Sequence, residues 1–134
     1  MNAGDRFFDT NVVLYLFSAD AHKAGIAEKE LSIGGIVSVQ VLNEFASVAT
    51  RKIKMRMADV RETLSAVRAA CQVVALTEAV HDKGMEMAGR HKLPVYDAMI
   101  IASALLAGCK TLMSEDMQDR QVFERTLKVH NPFR

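Results

Sequence analysis

Apolar residues in this chain alternate between two kinds of pattern. The stretches "RFFD", "GIVSV", "QVVAL", "TLMS" and "LKVHN" are brief and nearly continuous in apolar or β-branched residues. Such runs predict short buried strands. Between them the apolar spacing lengthens to that of a helix. "NVVLYLFSA" predicts a helix entered through Asp9, Thr10 and Asn11, and "HKAGIAEKELS" a second helix closed by Gly34 and Gly35. In "VLNEFASVATRK" the residues Val41, Leu42, Phe45, Val48 and Ala49 share one face. "MADVRETLSAVRAAC" predicts a further amphipathic helix, and "TEAVHDKGMEMAGRHK" a helix with Thr77 as its cap. After Pro94, "DAMIIASALLAG" is apolar on every side except Asp97 and Ser103, which predicts a fully buried helix. "EDMQDRQVF" is a short segment between the last two strands.

Strands alternating with helices imply a parallel sheet covered on both faces. The expected fold is therefore α/β, a three-layer α/β/α sandwich. No repeat, low-complexity segment or Pro/Gly-rich linker divides the sequence, so residues 1–134 are expected to form a single domain. In such folds ligands bind outside the carboxyl ends of the strands.

Composition narrows the function classes. Half the residues are hydrophobic and a quarter charged, which is ordinary for a soluble globular protein. Lys and Arg exceed Asp and Glu by one, so no global field attracts nucleic acid and a polyanion would need a local patch. Cys71 and Cys109 lie in apolar surroundings without paired spacing and read as buried, reduced thiols. The start "MNAGDRFF" has no basic-then-apolar leader, and no apolar run approaches membrane-spanning length. A cytoplasmic protein without membrane contact is expected.

The acidic residues change the picture most. One cap starts a helix, yet three polar residues interrupt the apolar sequence at Asp9–Thr10–Asn11. Asp9 follows the first predicted strand and Asp116 the "TLMS" strand. Glu44 lies about a turn into the helix after "GIVSV", on the margin of its apolar stripe, and Asp97 opens the all-apolar helix. Each aspartate alone reads equally as an N-cap, and Glu44 as a solvated helix residue. Parallel strands all point one way, however, so the four gather at one sheet edge. Like charges that close cannot all stay ionised without a compensating cation. Oxygen ligands without His or Cys favour Mg²⁺ or Mn²⁺ over zinc. The histidines at 22, 81, 91 and 130 are scattered and read as surface or structural residues. Asp9 would then be a metal ligand oriented by Thr10 and Asn11, with Ser114 and Asp119 serving Asp116 in the same way.

These residues resemble a PIN domain, and in particular the toxin ribonucleases of VapBC toxin–antitoxin pairs. The segments that carry the resemblance are "FFDTNVVLYLFS", "VSVQVLNEFASV", "LPVYDAMIIASALLAGC", "TLMSEDMQD" and "VHNPF". It implies a Mg²⁺- or Mn²⁺-dependent endoribonuclease with Asp9, Glu44, Asp97 and Asp116 as its acidic quartet. It also implies a homodimer and inhibition by a cognate antitoxin. One departure is Arg120, where relatives often carry glycine after the "SEDMQD" stretch. The implied chemistry is hydrolysis of an RNA phosphodiester by a metal-activated water.

RNA must also be held. "TRKIKMR" places Arg51, Lys52, Lys54 and Arg56 together, as phosphate contacts or as basic residues complementing a helix end. The rival of another class is a degenerate PIN-like module that binds RNA or protein without cutting. A haloacid-type phosphatase is disfavoured because Asp9 is followed by Thr10 and Asn11 rather than by D-x-D. A receiver domain is disfavoured because it needs paired acids before its first helix.

Overall fold

The computed structural model describes residues 2–134. A six-stranded sheet runs β3-β2-β1-β4-β6-β5, built from β1 (Arg6–Phe8), β2 (Gly35–Ser38), β3 (Cys71–Val74), β4 (Thr111–Met113), β5 (Val122–Phe123) and β6 (Leu127–His130). All pairings are parallel except β5 with β6. The helices are α1 (Thr10–Leu14), α2 (Ala21–Ile33), α3 (Val39–Arg51), α4 (Met57–Ala70), α5 (Glu78–His91) and α6 (Val95–Leu106). α6 lies against β2 and β4 with α5 packed on it, while α1 to α4 contact one another. The expected three-layer sandwich is the observed one.

The core centres on the middle strands, where Phe7, Phe8, Val37 and Leu112 are fully buried. From Ala98 to Ala104 every residue of α6 is buried, but Leu106 is exposed, so the apolar helix is buried through its middle rather than along its whole length. Burial raises the Cys109 thiol to about 11, and both cysteines are buried and free. No helix among the described residues is long and apolar enough to cross a membrane.

Four local expectations need correction. The first helix is shorter than its apolar run, because α1 tightens into a 3₁₀ turn at Tyr15–Phe17. Gly34 closes α2 at φ 95°, but Gly35 belongs to β2. A Cβ on Gly35 would stand 2.6 Å from the Phe8 ring and 2.9 Å from the Arg6 carbonyl, so close strand packing selects it. Asp97 is the third residue of α6 rather than its cap, which is Pro94. Asp116 starts no helix: residues 114–121 form an irregular loop leading to the two-residue β5.

β2 and β3 lie on one side of β1 and β4 on the other. The chain therefore reverses direction across the sheet between β1 and β4, and their carboxyl ends flank the switch point where α/β sheets bind ligands. Phe8 pairs with Met113, so Asp9 and Ser114 leave the sheet side by side.

Candidate active site

Asp9 is 7% exposed and both of its carboxylate oxygens are engaged. Oδ1 caps α1 by accepting the Thr10 N–H at 2.7 Å. Oδ2 accepts the Ser114 hydroxyl at 2.8 Å and the Asn11 amide at 3.3 Å, so Ser114 serves Asp9 rather than Asp116 as expected. Asn11 in turn accepts the Glu115 N–H at 3.2 Å, tying the start of α1 to the loop after β4. Thr10 turns elsewhere, donating its hydroxyl to Glu44 Oε1 at 2.9 Å. The three polar residues of "DTN" thus have separate tasks: cap, link to α3, and link to the β4 loop.

Gln40 was not singled out by the sequence. It is buried in the first turn of α3, donating from Nε2 to Glu44 Oε1 at 3.2 Å and to the Tyr96 carbonyl at 3.0 Å. It joins the helix of Glu44 to the segment that carries Asp97. Its signal was a polar residue inside the apolar run "VSVQVL".

The four carboxylates lie near enough for their charges to act on one another. Burial lifts the Asp9 pKa from 3.8 to about 6, against the hydrogen bonds from Ser114 and Thr10, and Asp97 and Asp116 raise it further. Burial also raises the Asp97 pKa, and the negative charges of Asp116 and then Glu44 add to that rise. Among the described residues, no Lys or Arg forms a salt bridge with any of the four. Nor do three His, Cys, Asp or Glu side chains there converge closely enough to enclose a metal ion. The donor set is nevertheless the right kind for a hard cation: oxygen only, mutually repelling, and with Glu44 Oε2 and the Asp97 and Asp116 carboxylates taking no hydrogen bond from the described residues.

The loop of Asp116 is clamped by its neighbour. Glu115 accepts the Tyr15 hydroxyl and pairs with Lys23 Nζ at 3.0 Å, and Lys23 sits 4.8 Å over the Tyr15 ring. Phe133 packs edge-on against that ring at 4.7 Å. The Tyr15 bond, then Lys23, hold the Glu115 carboxyl below its ordinary pKa.

Asp119 is placed differently from the quartet. It accepts the Asn131 N–H at 2.9 Å and lies 3.5 Å from Arg134, so its contacts fasten the C-terminal segment rather than Asp116. Asn131 lowers its pKa first. Arg120 has φ 71°, in the left-handed region that favours glycine, so the expected glycine would fit this backbone without strain. Arg51, Lys52, Lys54 and Arg56 are all exposed. Arg51 bonds Ser47 at 3.1 Å and Arg56 bonds Asp59 at 3.2 Å. Seven residues separate Glu44 from Arg51, about 10 Å along the helix, so the basic stretch is a neighbouring surface.

The sequence matches the model of the PIN domain over residues 6–125. The chain belongs to the PIN domain family. No curated protein sequence matches it. Among solved structures, a toxin–antitoxin complex from Klebsiella pneumoniae is similar with a TM-score of 0.71 and 20% identity, covering 95% of this chain and 97% of that one. VapC20 of Mycobacterium tuberculosis, a toxin that cleaves the sarcin–ricin loop, is similar with a TM-score of 0.63 and 20% identity, over 80% of this chain and 86% of that one. At this identity they speak for the PIN fold.

Proposed function

We propose that this PIN domain is a divalent-metal-dependent endoribonuclease, the toxin of a toxin–antitoxin pair. What supports the reading is the mutual charge influence among Asp9, Glu44, Asp97 and Asp116 beside the switch point, with no Lys or Arg among the described residues in a salt bridge to any of them. Their mutual repulsion leaves room for a cation to stabilise the site. Mg²⁺ or Mn²⁺, held by these four carboxylates, would neutralise phosphate charge and lower the pKa of the attacking water.

The chain's own residues do the positioning. Ser114, Asn11 and the Thr10 N–H fix both oxygens of Asp9, while Thr10 and Gln40 fix one oxygen of Glu44 and leave the other for the ion. Water forms the new bond to phosphorus as the bond to the leaving ribose oxygen breaks. With no histidine in the cluster, the proton released by the water would pass to a carboxylate or to solvent, and the leaving ribose oxygen would take up a proton from solvent. The exposed basic stretch from Arg51 to Arg56 serves as a phosphate contact beyond the site. An antitoxin partner is supported by the Klebsiella neighbour, a toxin–antitoxin complex, and a homodimer by the family resemblance.

Incubating total RNA with the purified protein tests the reading. Cleavage in Mg²⁺ or Mn²⁺ should stop in excess EDTA and return when the ion is restored. Cleavage indifferent to chelation would overturn the metal mechanism. RNA left intact with either ion would instead support a binding module that does not cut.

A further inference from the structure

Beside the carboxylates, between α3 and the start of α6, lies a hollow of about 310 Å³. Gln40, Asn43, Glu44, Ser47, Leu76 and Tyr96 line it, and only Glu44 is charged. Tyr96 is 69% exposed and Leu76 50%, so both side chains are open to a ligand. The Tyr96 backbone is nonetheless anchored, because its carbonyl accepts the Gln40 amide at 3.0 Å. Asn43 and Ser47 lie four residues apart on α3, so they share one helix face and present an amide and a hydroxyl there.

An RNA strand has two chemically distinct parts. Its phosphates can face four carboxylates only across a cation, whereas its bases are neutral. An unstacked base seeks an aromatic face together with hydrogen-bonding groups for its edge. The hollow supplies both, and Glu44 belongs to its wall as well as to the acidic cluster. We propose that it is a nucleobase subsite for the nucleotide next to the scissile phosphate. Tyr96 provides the stacking face, Leu76 extends the apolar wall, and Asn43 reads the base edge as donor and acceptor. The proposal rests on the endoribonuclease reading and adds to it a source of sequence preference at the cut.

Binding of fluorescein-labelled ten-nucleotide A, U and C homopolymers tests it, together with a ten-unit abasic ribose-phosphate oligomer. Fluorescence anisotropy is read in Ca²⁺, an oxygen-seeking cation of the same charge. Tyr96→Ala should weaken at least one homopolymer roughly 5- to 150-fold, the range of a lost base–aromatic stack. The abasic oligomer should bind both proteins alike, and Tyr96→Phe, which keeps a ring, should restore homopolymer binding. Three results would overturn the subsite: homopolymer binding unchanged in Tyr96→Ala, equal loss for the abasic oligomer, or no homopolymer bound by the wild type. If Tyr96→Ala only converts a dimer to a monomer in sedimentation, the ring belongs to a contact between copies and the subsite falls. Cleavage of total RNA in Mn²⁺ is scored separately. Wild type that cleaves while Tyr96→Ala binds unchanged defeats the subsite alone, and wild type that stacks bases but leaves RNA intact defeats the nuclease reading alone.

Discussion

Replacing Asp9 by Asn should stabilise the metal-free protein even as it destroys the site. Burial and its acidic neighbours raise Asp9 from 3.8 to about 6. Each pKa unit is worth about 1.4 kcal/mol, so keeping this group ionised at pH 8 costs the fold about 3 kcal/mol. The variant removes that charge but also weakens a network, because an amide offers one acceptor oxygen where the carboxylate served Thr10, Ser114 and Asn11. Losing one or two such bonds takes back about 1–2 kcal/mol, leaving a net gain of about 1–2 kcal/mol. For a chain of 134 residues that corresponds to a rise of about 4–7 °C in melting temperature. The sign with pH follows from a folded-state pKa above the unfolded one. The penalty is absent below 3.8, grows as pH rises, and is complete above about 6. At pH 5 about half of it has gone, so the advantage of Asp9→Asn should shrink towards zero. Urea or thermal unfolding in EDTA at pH 8 and pH 5 reads this directly. A variant less stable than wild type at pH 8, or an advantage equal at both values, would refute the argument. Mg²⁺ should then reverse the order, since an ion that binds only the native wild type at 100 times its Kd adds about 2.7 kcal/mol.

Gln40→Ala strips partners from Glu44 and from the Tyr96 carbonyl, and should cost about 1–3 kcal/mol in urea unfolding. Unchanged stability would mean that water replaces the amide freely. Changing Arg51, Lys52, Lys54 and Arg56 together to Ala should flatten the salt dependence of RNA affinity by about 0.7 in log–log slope for each phosphate the variant no longer neutralises. An unchanged slope would return these residues to the role of helix-end complement. Arg120→Gly should raise stability by up to about 1 kcal/mol by relieving the left-handed backbone at φ 71°, and a loss on unfolding would count against that reading.

The strand–helix alternation was legible because the buried parallel strands "GIVSV" and "TLMS" are short apolar runs with little polar interruption. The acidic edge was legible for the same reason: once the strands are parallel, Asp9 and Asp116 must leave the sheet on one side. What stayed hidden depends on partners distant in sequence. Tyr15 and Glu115 meet across 100 positions and Ser114 and Asp9 across 105, and no local pattern announces either pair. β5 has two residues, too few for a period of two to declare itself. Asp119 was expected to orient Asp116 because the two are close in sequence, yet its carboxylate faces Asn131 and Arg134. Gln40 was within reach of the sequence, since an amide in an apolar run needs partners once buried.

The central claim is that the switch-point carboxylates cut RNA with a divalent ion. Asp97 tests it most cleanly, because its carboxylate takes no hydrogen bond from the described residues and its replacement leaves the network around Asp9 and Glu44 intact. The decisive quantity is the rate of RNA cleavage in Mn²⁺ by wild type and by Asp97→Asn, each shown to be folded by its unfolding curve. A loss of at least about a hundredfold is expected in the variant, with stability equal to or above that of the wild type. Near-full cleavage by folded Asp97→Asn would contradict the claim.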